Sequence, residues 1–125
     1  MRQTLRVADY GEWQLLTLLR RQGVELAVGD YWLVYPLNFA SREWIHGVPC
    51  NIQTDLYGYG AALRKVPERF ALIDYSVDGV KAQAERAGVT GEISYVEPTY
   101  AVLVSDAPPT DPTPGDFLAR LCRKP

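Results

Sequence analysis

Along residues 9–22 the apolar side chains recur at helical spacing. Trp13, Leu15, Leu16, Leu18 and Leu19 form a broad stripe between polar positions, the pattern of a helix buried along one side. Asp9 stands where an N-cap belongs, and Glu12 three residues on completes a capping box. Arg20 and Arg21 suit the C-terminal dipole, and Gly23 ends the element. The period then changes from helix to strand: Val24-Glu25-Leu26-Ala27-Val28 alternates.

Residues 30–41 admit two readings. Tyr31, Trp32, Val34 and Tyr35 favour a strand by propensity. Against this, Asp30 after Gly29 is a good N-cap, and Tyr31, Tyr35 and Asn38 share one helical face. Pro36 weakens either element, costing ~3 kcal/mol inside a helix and removing a ladder donor in a sheet. A short or kinked helix gives the simpler organisation, because a strand–helix–strand unit then runs from Val24 to Val48. Its second strand is 43–48, stopped by Pro49. The same phasing places Trp32, Leu33 and Tyr35 in the core.

Residues 49–67 read as a loop followed by a short helix around 61–65. Phe70 to Tyr75 is an apolar run suited to a buried strand. Ser76 then caps a helix with Val77, Val80, Ala84 and Ala87 on one face and Gly88 as its stop. Strands follow over Glu92–Tyr95 and Tyr100–Val104, and the four residues between them make an antiparallel hairpin. The pattern predicts an α/β fold: a single compact domain over residues 1–105, with a central mixed sheet of about five strands, flanking helices and a C-terminal antiparallel hairpin. Residues 106–125 read as a proline-rich linker and a short C-terminal helix or tail, docking through Phe117, Leu118 and Leu121.

Composition narrows the function classes. A chain of 125 residues, 47% hydrophobic and 22% charged, is an ordinary globular domain. Its net charge of −2 gives no reason to expect nucleic acid, which calls for a clustered basic face. The pairs Arg20-Arg21 and Arg64-Lys65, and Arg120 with Arg123-Lys124, read as solvated helix ends. No window reaches the ~18 consecutive apolar residues of a membrane span, and the N-terminus has no apolar core of a signal peptide. The two cysteines, Cys50 and Cys122, form no CxxC pair. They can join only if the fold brings their Cα atoms within ~7 Å, and otherwise remain two thiols.

Catalytic constellations are scarce. The single histidine, His46, has Cys50 four residues on, but spacing supplies no third metal ligand. A nucleophilic site would have to draw on that one histidine, with Cys50 and Asp55 as its neighbours. Gly58-Tyr59-Gly60 begins like a dinucleotide fingerprint and lacks the third glycine. Asp74 with Asp78, or Asp30 with Asp55, could do acid–base work only if the fold joins them. No metal, cofactor or catalytic residue is therefore assigned. The remaining candidate is an aromatic ligand surface made by Asp30, Tyr31, Trp32 and Tyr35 with Tyr57 and Tyr59, because such side chains combine large area with a polar handle.

The run Leu18-Leu19-Arg20-Arg21-Gln22-Gly23-Val24, then Gly29 to Phe39, then Ala40-Ser41-Arg42-Glu43, resembles one known setting. It is similar to the C-terminal region of bacterial polytopic glycosyltransferases that resemble dolichyl-phosphate-mannose–protein mannosyltransferases, where such a string follows the last membrane helix. The likeness spans most of residues 9–105 and is most specific over 29–39. It departs at Pro36, where arginine is expected. The resemblance implies a non-catalytic accessory domain on the extracytoplasmic face of the membrane. Its partners would be the membrane-embedded portion of a parent protein or a glycan acceptor, with the transfer chemistry residing in that portion. A free-standing sugar- or peptide-binding module and a small hydrolase or transferase around His46 are the rival readings.

Overall fold

The computed structural model describes residues 13–42, 44–50, 63–96 and 100–123. Its sheet contains β1 (Leu26–Gly29), β2 (His46–Pro49), β3 (Ala71–Asp74), β4 (Gly91–Val96) and β5 (Tyr100–Ser105), in the spatial order β2-β1-β3-β5-β4. β2, β1 and β3 run parallel, while β5 is antiparallel to both β3 and β4. This is the expected mixed α/β sheet with its closing hairpin.

The inner strands β1, β3 and β5 are apolar on both sides because both faces are covered. Ala27, Ala71, Ile73, Val102 and Val104 point to one face, where they meet Leu15 and Leu19 of helix α1 (described over 13–21) and Leu33, Val34 and Leu37 of helix α2 (Tyr31–Ala40). Leu26, Val28, Leu72, Ala101 and Leu103 point to the other. There they meet Val80, Ala84 and Ala87 of α3 (Val77–Ala87) and Phe117 and Leu121 of α4 (Pro114–Leu121).

The two glycine stops behave as expected. Gly23 and Gly88 take φ of 70° and 68°, and in each case the next amide reaches back to close the helix, Val24 N–H to Leu19 C=O and Val89 N–H to Ala84 C=O. Ser76 caps α3 by accepting from the Gly79 amide at 3.0 Å.

Residues 31–40 are helix despite Pro36, and the reason is tertiary. Asn38 is fully buried; its side-chain amide donates to Gly47 C=O at 2.9 Å and to Tyr35 C=O at 3.1 Å, and its carbonyl accepts the Gly47 amide at 2.9 Å. Gly47 has no Cβ because the Val34 carbonyl occupies that space. Pro36 lies on the exposed side, where water can serve the Trp32 carbonyl that a proline leaves without an amide donor.

Several bounds shift by a residue or two, and three departures have a physical reason. β2 is His46–Pro49, because the Ser41 hydroxyl takes the Ile45 amide at 2.9 Å and holds the preceding residues in a turn. Pro49 is thus the last residue of the strand, tolerated because β2 is an edge. Residues 63–65 are not helical, and the rest of the helix expected around 61–65 lies outside the described residues. α4 starts at Pro114 with Thr113 as N-cap, whose hydroxyl accepts the Asp116 amide at 3.1 Å.

The segment after β5 folds back onto the sheet. Phe117 and Leu121 are fully buried and Leu118 packs beside them. Arg120 grips both Asp111 carboxylate oxygens at 2.8 and 3.0 Å and donates to the Ala87 carbonyl. That pairing holds the Asp111 carboxyl below the usual carboxylate range. Cys50, just past β2, and Cys122, at the end of α4, form a disulfide across a Cα separation of 5.2 Å and 72 residues of sequence.

Candidate functional site

Chain direction creates one distinctive place. β1 feeds α2 on one face and the chain moves outward to β2, whereas β3 feeds α3 on the other face and the chain moves to β4. The two connections part at the carboxyl ends of β1 and β3. In open α/β sheets such a parting is where ligands are bound.

Asp30 leaves β1 there and caps α2, and its Oδ1 accepts both the Trp32 amide at 2.9 Å and the Tyr75 hydroxyl at 3.1 Å. Asp74 ends β3, and its Oδ1 accepts the Tyr75 amide at 2.6 Å. The other Asp74 oxygen lies over the first turn of α3, where Gly79 leaves the room it needs. Tyr75, half-exposed at 48%, therefore bridges the loops that follow the two parallel strands. Its partial burial, the hydrogen bond to Asp30 and the charges of Asp30 and Asp74 all raise its pKa above the ordinary phenol value. At neutral pH it stays a hydroxyl donor to Asp30. The rim thus holds two carboxylates, each at the N-terminus of a helix, where the helix dipole favours negative charge.

The aromatic segment supplies the adjoining surface. The Tyr31 and Tyr35 rings stack with centroids 5.0 Å apart and planes 25° apart. Trp32 meets Tyr31 edge-on at 5.0 Å and 86°, and Phe39 meets Tyr35 at 6.1 Å and 73°. Tyr35 is buried, whereas Trp32 is 74% exposed. The expected burial of Trp32 is thus corrected. The Asn38–Gly47 clamp turns the Val34 side of α2 onto β2, and Trp32 lies two positions away, about 200° around the helix.

Of the six residues singled out from sequence, the structure places Asp30, Tyr31, Trp32 and Tyr35 together at the head of α2. Tyr57 and Tyr59 lie outside the described residues. Asp74 and Tyr75 join the site and were not singled out for it. The available signal was their position directly after a buried parallel strand and before the Ser76 cap.

The residues near His46 do not converge. His46 opens β2 and Cys50 follows its other end, about 13 Å away at strand spacing, and Cys50 is bound to Cys122. Asp55 lies outside the described residues. Among the described residues no group of three His, Cys, Asp or Glu is placed to hold a metal ion, and no helix is long and apolar enough to cross a membrane. Two open clefts lie at the other end of the strands, by the amino ends of β1, β3 and β4. One, of about 760 Å³, is lined by Glu25, Lys65, Glu68 and Arg69, and one of about 550 Å³ by Thr90, Asp111 and Arg120 among others. Their charges are mixed, and Arg120 is already engaged by Asp111 and Ala87. No protein-family model, curated protein or solved structure matches the chain.

Proposed function

We propose that this chain is a non-catalytic accessory domain, facing the extracytoplasmic side, of a membrane glycosyltransferase-like protein. The observation that carries the reading is the Cys50–Cys122 disulfide, because such bonds form and persist in oxidising compartments. The segment that resembles the transferases, residues 29–39, supports it by forming the end of β1, the cap and most of α2 around the candidate site. In this reading the rim contributes to holding a glycan acceptor. Asp30 and Asp74 offer acceptors to sugar hydroxyls, and the exposed Trp32 ring offers a face for a pyranose to stack on. Bond transfer is left to the membrane-embedded portion of the parent.

Two measurements test the proposal. The full reading frame should encode hydrophobic spans upstream of residue 1, and their absence would sink it. The chain should carry no free thiol when exported and two when made in a reducing compartment; two free thiols after export would remove the compartment argument.

The 74% exposure of Trp32 also favours a second reading, a free-standing saccharide- or peptide-binding module. Calorimetric titration with neutral oligosaccharides and peptides distinguishes the two when read with the frame: binding by a chain without membrane spans selects the second.

A further inference from the structure

Helix α2 contains no charged residue over its ten positions. A helix apolar on every side is normally enclosed on every side, and α2 is not. Leu33, Val34, Tyr35, Leu37 and Asn38 are buried, whereas Trp32, Pro36, Phe39 and Ala40 are exposed. Those four stand at positions i, i+4, i+7 and i+8, so they form one stripe along the helix. Phe39 keeps 56% of its surface exposed although it also touches Tyr35. A contiguous apolar row with two large aromatic rings marks an interaction surface, as isolated exposed side chains do not.

The charges around the stripe identify what it meets. At its C-terminal end the chain passes into Arg42, exposed with φ of 53°. α1 covers the same sheet face and ends in Arg20 and Arg21, both exposed. The Arg20 guanidinium lies 5.0 Å over the ring of Trp44, two residues past Arg42, which draws the basic ends of the two helices together. Among the described residues of α1, α2 and the turn at 41–42, every charged side chain is basic. Glu12 and Glu43, which adjoin these segments in sequence, lie outside the described residues. Of the described acids, Asp30 caps the head of α2, and Glu25 precedes β1 and lines the cleft at the other end of the strands from the candidate site.

We infer that this layer rests on an anionic phospholipid surface, with α2 in the plane of the interface, its indole and phenyl rings at headgroup depth and the arginines on lipid phosphates. Amphipathic aromatic rings beside basic side chains suit that boundary. A second copy of the chain is a poorer occupant: the stripe lies on one helix about 15 Å long, small beside the ~20 or more residues a side of a stable protein interface. The inference goes beyond the function proposed above and does not depend on it. The two uses share the Trp32 ring: a sugar would add the Asp30 and Asp74 carboxylates at the head of the stripe, and a bilayer would add Phe39 and the arginines along its length.

The test is co-sedimentation of the chain with vesicles of phosphatidylcholine alone or mixed with phosphatidylglycerol, at low and high salt, with tryptophan emission recorded. Salt-sensitive binding to the anionic vesicles with a blue shift is expected. Phe39→Asp should abolish it, and Arg21→Glu with Arg42→Asn should weaken it about tenfold or more, given the contribution of each arginine near such a surface. Asp30→Asn removes a negative charge at the head of the stripe and should not weaken it, whereas it should impair sugar binding, which separates this surface from the sugar rim. Because Trp32 is exposed, Trp32→Phe should preserve the fold, checked by circular dichroism, and should remove most quenching by brominated lipid. No wild-type binding to anionic vesicles at low salt overturns the inference. So does equal binding to neutral vesicles, binding indifferent to Phe39→Asp, or a dimer in sedimentation velocity that Phe39→Asp dissolves.

Discussion

Tyr75 joins two carboxylates and two strand ends, so its protonation is tied to the site. Its pKa is raised in the folded chain, chiefly by partial burial and then by the bond to Asp30. A raised folded value means that the hydroxyl form is favoured by folding. The resulting stabilisation is fully present below the ordinary phenol range, about pH 10, and is lost as pH rises through the higher folded value. Comparing urea unfolding of Tyr75→Phe with wild type should therefore show a difference at pH 7 that narrows above pH 10; a gap that does not change with pH would contradict the bridge. Asn38 is the other residue whose role is set by its contacts. Removing its amide in Asn38→Ala leaves the Gly47 N–H and C=O buried without it, at a cost of about 2–4 kcal/mol. The denaturation midpoint reads that loss directly.

At the scale of elements, α2 shows what local sequence carries and what it does not. Asp30, Ser76, Gly23 and Gly88 punctuate the chain through bonds that span a few residues, so each start and stop could be read from the sequence. The outward orientation of Trp32 could not, because the rotation of α2 is fixed by a clamp between Asn38 and Gly47, nine residues apart and on different elements. For the same reason the role of Tyr75 is not legible in the sequence: its significance comes from the divergence of α2 and α3 across the sheet, a property of topology. Pro36 is where α2 works hardest against its own propensity, beyond the strand-favouring Tyr31, Trp32, Val34 and Tyr35. Its missing amide faces solvent and the following residues are anchored, so Pro36→Ala should restore a backbone bond without disturbing packing. The expected gain is about 1–2 kcal/mol, less than the full ~3 kcal/mol helix penalty because proline also restricts the unfolded chain. A higher urea midpoint with an unchanged slope checks it.

At the scale of the whole molecule, the disulfide ties the two halves of the sheet's surroundings. Cys50 follows the edge strand β2, and Cys122 ends a helix that packs through Phe117 and Leu121 on the sheet face to which Val48 of β2 also contributes. Nothing in the sequence selected this pairing, because it depends on β2 and α4 converging across 72 residues. Gln83 lies at the junction, donating to the Leu121 carbonyl at 3.1 Å and approaching the Cys50 sulfur at 3.8 Å. A loop of that length, closed covalently, removes unfolded-chain entropy worth about 4 kcal/mol. α4 also keeps its own attachments, the buried Phe117 and Leu121 and the Asp111–Arg120 pair. Reduction should thus lower stability without releasing the helix. The expected outcome is that Cys50→Ser/Cys122→Ser folds with native near-ultraviolet dichroism, unfolds at a denaturant concentration lower by the equivalent of about 4 kcal/mol, and is insensitive to reductant, while wild type falls to the variant's midpoint when reduced. Equal midpoints for oxidised and reduced wild type would mean that the bond contributes no stability, and the argument from it to an oxidising compartment would lose its physical basis.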